Sequence, residues 1–162
     1  MRPFPIAALV ATLLISTPAI AQQEQGDVEI QFSGSVQSKV KKGGSTTGYV
    51  QTKFGYYFTD RLELGAFPSL TFSSGDTALG MGAFGTYSFL AADAMTVPYL
   101  GAQYYKNDVS VAGDRGWAGF NGGVKFFFNR HMAFDVGGNY LLPLNKNGSS
   151  LVLFQVGLSY VL

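Results

Sequence analysis

The 162-residue sequence contains no cysteine, a single histidine and few charged residues. The absence of cysteine excludes disulfide bonds, so packing and backbone pairing must stabilise the fold. One histidine without cysteine leaves too few soft ligands for a transition-metal site, and we expect neither a metal nor a cofactor. Charged residues make up 13% of the chain, which is low for a surface that faces water on all sides.

The sequence also lacks any run of ~20 apolar residues, the length that a transmembrane helix needs. Its main apolar run, Ile6–Ile15, follows Arg2 and precedes Ala19-Ile20-Ala21, an A-x-A cleavage site. This pattern predicts a secretory signal peptide over residues 1–21 and a single domain over residues 22–162. The alternative reading is an N-terminal anchor helix.

The predicted mature domain has no net charge. Removal of Arg2 with the signal peptide leaves ten basic and ten acidic residues. A chain without a basic surface gives no electrostatic reason to bind nucleic acid, and we expect none as a partner. An exported domain that is poor in charge and rich in aromatic residues suggests that part of its outside does not face water.

Alternation of apolar and polar residues dominates the rest of the chain and predicts β-strands. Eight segments show this period of two: 28–37, 50–58, 62–72, 78–89, 97–105, 117–128, 132–140 and 152–162. Most have about the 9–11 residues that a tilted strand needs to cross a bilayer, whereas strands of soluble sheets average ~5–6. A β-structure in lipid must close on itself because its backbone groups find no water there. The predicted fold is therefore all-β, an eight-stranded antiparallel up-and-down transmembrane β-barrel.

The apolar face is expected to point outward to lipid, because the opposite face is rich in Gly, Ser, Gln and Asn with scattered charges. Aromatic residues of the apolar face gather near the strand ends, as at the two interfaces of a membrane. One group lies toward the short turns: Tyr56, Phe58, Tyr87, Phe89, Phe126, Phe128 and Tyr160. The other lies toward the longer loops: Phe72, Tyr104, Phe120 and Tyr140. The alternative is a soluble, lipocalin-like carrier with its aromatic residues inside.

Short turns at 59–61, 90–95 and 129–131 alternate with longer loops near 38–47, 73–77, 106–115 and 141–150. In outer-membrane barrels the short turns are periplasmic, which would place both termini in the periplasm. We therefore expect a cell outer membrane of the Gram-negative type, with its lipid as the main partner and the protein as a monomer.

Three stretches carry a resemblance to a known family: Gly55–Gly65 (GYYFTDRLELG), Val97–Gly101 (VPYLG) and Gly122–Arg130 (GGVKFFFNR). They resemble the outer-membrane protein β-barrel domain family of small OmpA-, OmpX- and opacity-like eight-stranded barrels. The resemblance implies insertion by the barrel-assembly machinery, which recognises an alternating final strand that ends in Phe or Trp. The final strand here alternates as expected but ends in Leu162.

Residues for catalysis are not arranged in any recognisable pattern. The single histidine, His131, lies in a predicted turn beside Arg130, and no serine stands at a spacing that suggests a Ser–His pair. Glycine repeats such as Gly80-Met81-Gly82 lie within a strand and precede no helix, so they are not phosphate loops. We expect no enzyme and no catalytic or cofactor-binding residues.

The polar face predicts a charge network inside the barrel. Five charged residues share this face: Glu29, Lys53, Glu63, Lys125 and Asp135. Lys125 and Asp135 are equidistant from Arg130 and should face each other across the turn. Because buried charges are costly unless paired, we expect a salt-bridged plug. Polar residues would complete its hydrogen bonds: Gln31, Gln51, Asn121, Asn139 and Gln155.

Two alternatives concern the interior. The charges could be solvated in a wet lumen, and six inward glycines could leave narrow water-filled voids: Gly55, Gly65, Gly119, Gly123, Gly137 and Gly157. An eight-stranded barrel is too narrow for a general diffusion pore. The predicted function is a non-enzymatic outer-membrane barrel with a structural or surface-interaction role, and the alternative is a narrow porin-like channel for ions or small solutes.

Overall fold

The computed structural model of the protein describes residues 23–38, 46–73, 76–89, 95–111, 115–145 and 150–162. Outside these residues lie the predicted signal peptide, positions 39–45 of the predicted loop near 38–47, and most of the predicted turn at 90–95. The described chain forms eight strands: β1 Val28–Ser38, β2 Thr46–Tyr57, β3 Leu62–Ser73, β4 Asp76–Ser88, β5 Thr96–Lys106, β6 Trp117–Phe127, β7 Met132–Pro143 and β8 Leu151–Val161.

Each strand pairs antiparallel with the next, and β1 pairs with β8 to close the barrel. The two ends of the domain meet, because Val28 and Leu162 exchange backbone hydrogen bonds of 3.2 and 2.8 Å. The predicted fold class and strand number are thus confirmed. Among the described residues, no helix has the length and apolar character to span a membrane.

Three strands extend by two residues or more into segments predicted as loops. β2 begins at Thr46 rather than Val50, β4 begins at Asp76, and β7 continues to Pro143. The extension of β2 pairs with β1 as far as Ser38 and Thr46. Gly, Ser and Thr are typical of loops, but here the neighbouring strand supplies backbone partners that composition does not reveal.

The alternating residues divide into an inner and an outer face as predicted. Large apolar side chains are exposed along the outer wall, with Phe154 79% and Phe120 63% accessible. All the aromatic residues predicted to lie on the outer face near either end of the strands point outward. Tyr56 packs edge-on against Phe58, and Tyr87 against Phe89, on the side of the short turns. The soluble-carrier alternative requires the opposite orientation of these faces.

The end of the barrel that carries turns 58–61 and 128–131 is called the turn end, and the opposite end the loop end. A cluster of Val97, Phe127, Ala133 and Val161 fills the lumen at the turn end. The residues before β1, which the alternation does not assign to a strand, add to this closure. Gln23 is 1% exposed, and the Gln25 N–H donates to Asp60 Oδ1 at 2.9 Å. Gly26, with a φ of 101°, makes the turn into β1.

Candidate functional site

The lumen between the turn end and the middle of the barrel holds all five predicted network residues. Their exposed fractions lie between 2 and 6%: Glu29, Lys53, Glu63, Lys125 and Asp135. The five residues come from five different strands, β1, β2, β3, β6 and β7, and all of them point inward. Carboxylates and ammonium groups in such a place are stable only with close partners. The structure therefore shows which of them are paired directly.

Lys125 is the centre of the direct contacts. Its Nζ lies 2.7 and 2.6 Å from the two carboxylate oxygens of Glu29, 3.1 Å from the Tyr57 hydroxyl and 3.4 Å from Glu63 Oε2. The Tyr57 hydroxyl also donates to Glu29 Oε2 at 2.6 Å. An ammonium group has three N–H donors, and here all of them have acceptors. Lys125, Glu29, Glu63 and Tyr57 are called the ion cluster below.

Asp135 is the register partner of Lys125, as predicted from their positions around the turn. The salt bridges of Lys125 nevertheless run to Glu29 and Glu63. Asp135 Oδ1 instead accepts a hydrogen bond from the Tyr99 hydroxyl at 2.9 Å, and its Oδ2 has no partner among the described atoms. A lysine side chain is long enough to reach across a narrow lumen, so neighbours in the ladder need not be partners in an ion pair.

Lys53 has a different environment from Lys125. Within the described chain no carboxylate lies within 4.0 Å of its Nζ, which is 5.0 Å from the centre of the Phe84 ring. The ring face is electron-rich and attracts the ammonium group. The lumen thus contains one lysine with full pairing and one held by an aromatic face.

Four of the five predicted amides fall into two groups, and none of the hydrogen bonds among the described residues joins either group to the ion cluster. Gln51 Nε2 donates to Gln155 Oε1 at 2.7 Å and to the Ser33 hydroxyl at 2.9 Å, which makes a separate group across β1, β2 and β8. Asn121 and Asn139 are adjacent in the ladder. Both Asn121 amide atoms and Asn139 Nδ2 lack hydrogen-bond partners among the described residues.

The lumen at the loop end contains a hydrophobic cluster that residue spacing did not predict, and it is called the loop-end hydrophobic cluster below. It consists of Tyr49, Phe67, Phe84, Tyr105, Leu141 and Leu153, with Trp117 and Leu151 packed against it. These residues occupy positions on the face described as polar. The useful signal is a large residue opposite an inward glycine: Gly65 pairs with Phe84, and Gly82 with Phe67.

Neighbouring backbone or side-chain atoms occupy the space beside the six inward glycines that were predicted to leave voids. A Cβ on Gly65 would meet the Phe54 carbonyl oxygen and the Phe84 ring, and one on Gly137 would lie 2.6 Å from the Tyr99 hydroxyl. A Cβ on Gly55 would overlap the Glu63 carboxylate. Protein interiors reach near-crystalline packing when large and small residues interlock in this way. The glycines therefore make room for ring and carboxylate groups.

Reactive groups are not brought together in the described part of the chain. The His131 ring contacts the Val161 carbonyl oxygen through Nδ1 at 2.9 Å and stacks on Tyr160. The described residues include no group of three His, Cys, Asp or Glu side chains placed to hold a metal ion. The ion cluster has the geometry of a structural ion pair, since its ammonium donors are already occupied.

No family model matches the chain. No curated protein matches it either.

Solved structures are similar in fold. The N-terminal β-barrel domain of Pseudomonas aeruginosa OprF is 18% identical, with 86% of this chain and all of that chain covered at a TM-score of 0.64. Neisserial surface protein A is 15% identical, covering 85% of this chain and 97% of that one at 0.55. A de novo designed transmembrane β-barrel is 13% identical at 0.59, over 88% and 99%. Because a designed barrel is about as similar to this chain as the natural proteins are, the similarity concerns the architecture. These matches establish the fold of an outer-membrane β-barrel.

Proposed function

We propose that the protein is a non-enzymatic integral outer-membrane barrel with a structural or surface-interaction role. The outer wall supports a membrane location, because its large apolar side chains are exposed along the full height of the barrel. Aromatic residues near both ends fit the two interfaces of a bilayer. The described turns at 58–61 and 128–131 share one end of the barrel with Val28 and Leu162, which supports a periplasmic position for that end.

The observation that carries the structural role is the filling of the lumen. Side chains of the turn-end cluster, the ion cluster and the loop-end hydrophobic cluster follow one another along the barrel. Eight strands enclose a space just wide enough for such side chains. A lumen filled at both ends and cross-linked by charges in between stabilises the wall and leaves no wide path for solutes.

The alternation of outward residues in β8 supports insertion by the barrel-assembly machinery. These outward residues are Phe154, Val156, Leu158 and Tyr160. Leu162 is 62% exposed in the position where related barrels end in Phe or Trp.

Fractionation of cells that express the full chain tests the location. We expect the protein in the outer-membrane fraction, and an unboiled sample should migrate faster on a gel than a boiled one because the closed barrel resists the detergent. Recovery in the soluble periplasm, or identical migration of both samples, would contradict the proposal.

Unpartnered polar atoms in the middle of the lumen favour a narrow channel as a second candidate. They include Gln103 Oε1, both Asn121 amide atoms, Asn139 Nδ2 and Asp135 Oδ2. Buried polar groups of this kind are usually satisfied by ordered water, and a chain of waters could carry small ions. Planar-bilayer recordings separate the two functions. Steady openings whose ion selectivity changes in Lys53→Met would favour the channel, whereas a silent bilayer favours the structural role.

A further inference from the structure

A small cup lies inside the loop end of the barrel, above the loop-end hydrophobic cluster. Its volume is about 200 Å³, and its walls include Ser35, Thr71, Tyr105, Asn107, Trp117 and Leu153. Pockets for drug-sized ligands usually have ~300–1,000 Å³. The cup therefore suits a ligand of one ring.

The amide of Asn107 is held in a fixed orientation at the rim. Its Oδ1 accepts hydrogen bonds from the Thr71 hydroxyl at 2.7 Å and from the Tyr105 hydroxyl at 2.6 Å. Both acceptor lone pairs are thus used within the protein, and the two N–H donors are left for another group. No hydrogen bond from this amide nitrogen is present among the described residues.

Ser35 supplies a second polar contact. Its hydroxyl oxygen is buried and has no hydrogen-bond partner among the described residues, although the side chain lines the cup. A hydroxyl group can both donate and accept, and a buried one without a partner is unfavourable. Ser35 and Asn107 therefore offer donors and an acceptor to whatever enters the cup.

Aromatic rings form the apolar part of the cup. Tyr49, Tyr105 and Trp117 line the cup together with Leu151 and Leu153. Tyr105 and Trp117 stack with a centroid distance of 6.0 Å. None of the described residues that line the cup is Asp, Glu, Lys, Arg or His. A charged ligand would lose its hydration without gaining a counter-charge from these residues, so they favour an uncharged one.

We propose that this cup binds a single uncharged sugar ring. A sugar ring presents an apolar C–H face to aromatic rings and hydroxyl groups along its edge, which can both donate and accept hydrogen bonds. The aromatic stack, the free Asn107 donors, the Ser35 hydroxyl, the size and the missing charge all match this chemistry. The sugar could be free or could end a glycan or a glycolipid headgroup.

Trp117 makes the binding directly measurable, because it is the single tryptophan of the chain. The protein is placed in nanodiscs of zwitterionic phospholipid, since glycoside detergents would themselves carry the ligand. Neutral methyl glycosides of several hexoses are then titrated while tryptophan fluorescence is followed. We expect a saturable change with a dissociation constant on the order of 1–10 mM for at least one of them.

Two serines of the same strand and face provide a matched pair of variants. Ser35→Ala removes a hydroxyl without a partner, so we expect unchanged stability and roughly threefold to tenfold weaker sugar binding. Ser33→Ala removes a hydroxyl that is bonded to Gln51 and Gln155. It should lower stability and leave sugar affinity unchanged. Asn107→Leu should weaken binding like Ser35→Ala.

Three results would overturn the proposal. One is a fluorescence response that does not saturate or that glycerol reproduces at equal concentration. Another is equal affinity in wild type and Ser35→Ala. The third is tighter binding of galacturonate or glucosamine, which would assign the cup to a charged ligand.

Two further arms distinguish the source of the sugar. A neutral glycolipid incorporated in the same nanodisc should compete with the soluble glycoside if headgroups reach the cup, and should leave the titration unchanged if only free sugars do. Neither arm depends on whether the lumen conducts, so a failure here is distinct from a failure of the proposed structural role.

Discussion

Replacement of Lys125 by methionine tests the ion cluster most directly. The substitution keeps an unbranched side chain of similar length but removes the ammonium group that contacts both Glu29 and Glu63. Both carboxylates are at most 4% exposed, so neither can turn to bulk water without opening the barrel. Breaking a buried pair by removal of one partner typically costs about 3–5 kcal/mol, and we expect a loss in this range.

Lys53→Met is the matched control, because it makes the same chemical change at an equally enclosed lysine. Lys53 is 6% exposed and Lys125 3%, but the direct contact of Lys53 is to the Phe84 ring. Loss of a cation–π contact is worth only about 0.5–2 kcal/mol, and part of it is offset because the lysine no longer has to be desolvated. We therefore expect Lys53→Met to destabilise the barrel by less than about 1.5 kcal/mol.

A double-mutant cycle isolates the interaction between Lys125 and Glu29. Glu29→Gln alone leaves the ammonium group with one carboxylate, and Glu29→Gln with Lys125→Met removes both charges of the closest pair. The combined loss should be smaller than the sum of the single losses by roughly 1–3 kcal/mol, as is common for residues in direct contact. A strictly additive result would mean that the two groups do not stabilise each other.

The assay is urea unfolding of the full chain refolded into phospholipid vesicles. Tryptophan fluorescence follows the loop end, and the shift between unboiled and boiled gel bands follows closure of the whole barrel. A loss below about 0.5 kcal/mol for Lys125→Met would refute the buried network and favour a wet lumen with solvated charges.

Three other outcomes are expected. Gly65→Ala should destabilise the barrel by about 1–3 kcal/mol because its Cβ would overlap a backbone carbonyl. In Gly48→Ala the new Cβ would lie 3.9 Å from the nearest atom, Phe72 Cδ2, so this substitution should be neutral or slightly stabilising in the same urea assay. Val156→Lys, in the middle of the outer wall, should cost about 2–4 kcal/mol in vesicles, and Leu162→Lys at the strand end less than about 1 kcal/mol; equal costs would argue against a bilayer around the wall. The N–H and the hydroxyl of Ser110 donate hydrogen bonds to the exposed Asp108 carboxyl, and these bonds lower its pKa. Because the folded pKa is lowered, the hydrogen bonds stabilise this turn at pH values above the usual carboxyl pKa of about 4. This stabilisation is lost as the pH falls through the folded pKa. Carbon NMR should find a midpoint below ~3.9, and a midpoint at or above it would contradict the contacts.

Much of the fold follows from residue spacing. The period of two predicts the eight strands, their inward and outward faces, and the register that places Lys125 opposite Asp135. The errors in strand ends have a common cause, since Thr46 and its neighbours are polar and adopt strand geometry through pairing with β1 and β3. Composition describes such residues as loops because it contains no information on the neighbouring backbone.

The interior was less predictable for a physical reason. Glycine opposite Phe84 reads as a gap when the strand is considered alone, yet the adjacent ring fills it. The polar residues before β1 likewise give no signal that Gln23 becomes buried at the turn end. The cup at the loop end depends on Ser35, Asn107 and Trp117, which are far apart in sequence and meet only after closure.

Residue spacing and composition are enough to predict the fold class, because alternation, strand length and scarcity of charge are local properties that any closed barrel in lipid must have. They also predict which charged residues point inward. How these residues pair depends on the three-dimensional arrangement of the strands. Lys125 reaches across the lumen to Glu29 and Glu63, while its ladder neighbour Asp135 bonds to Tyr99. Closure of the barrel brings distant strands within one side-chain length, and distances across a lumen are not encoded in spacing along a strand.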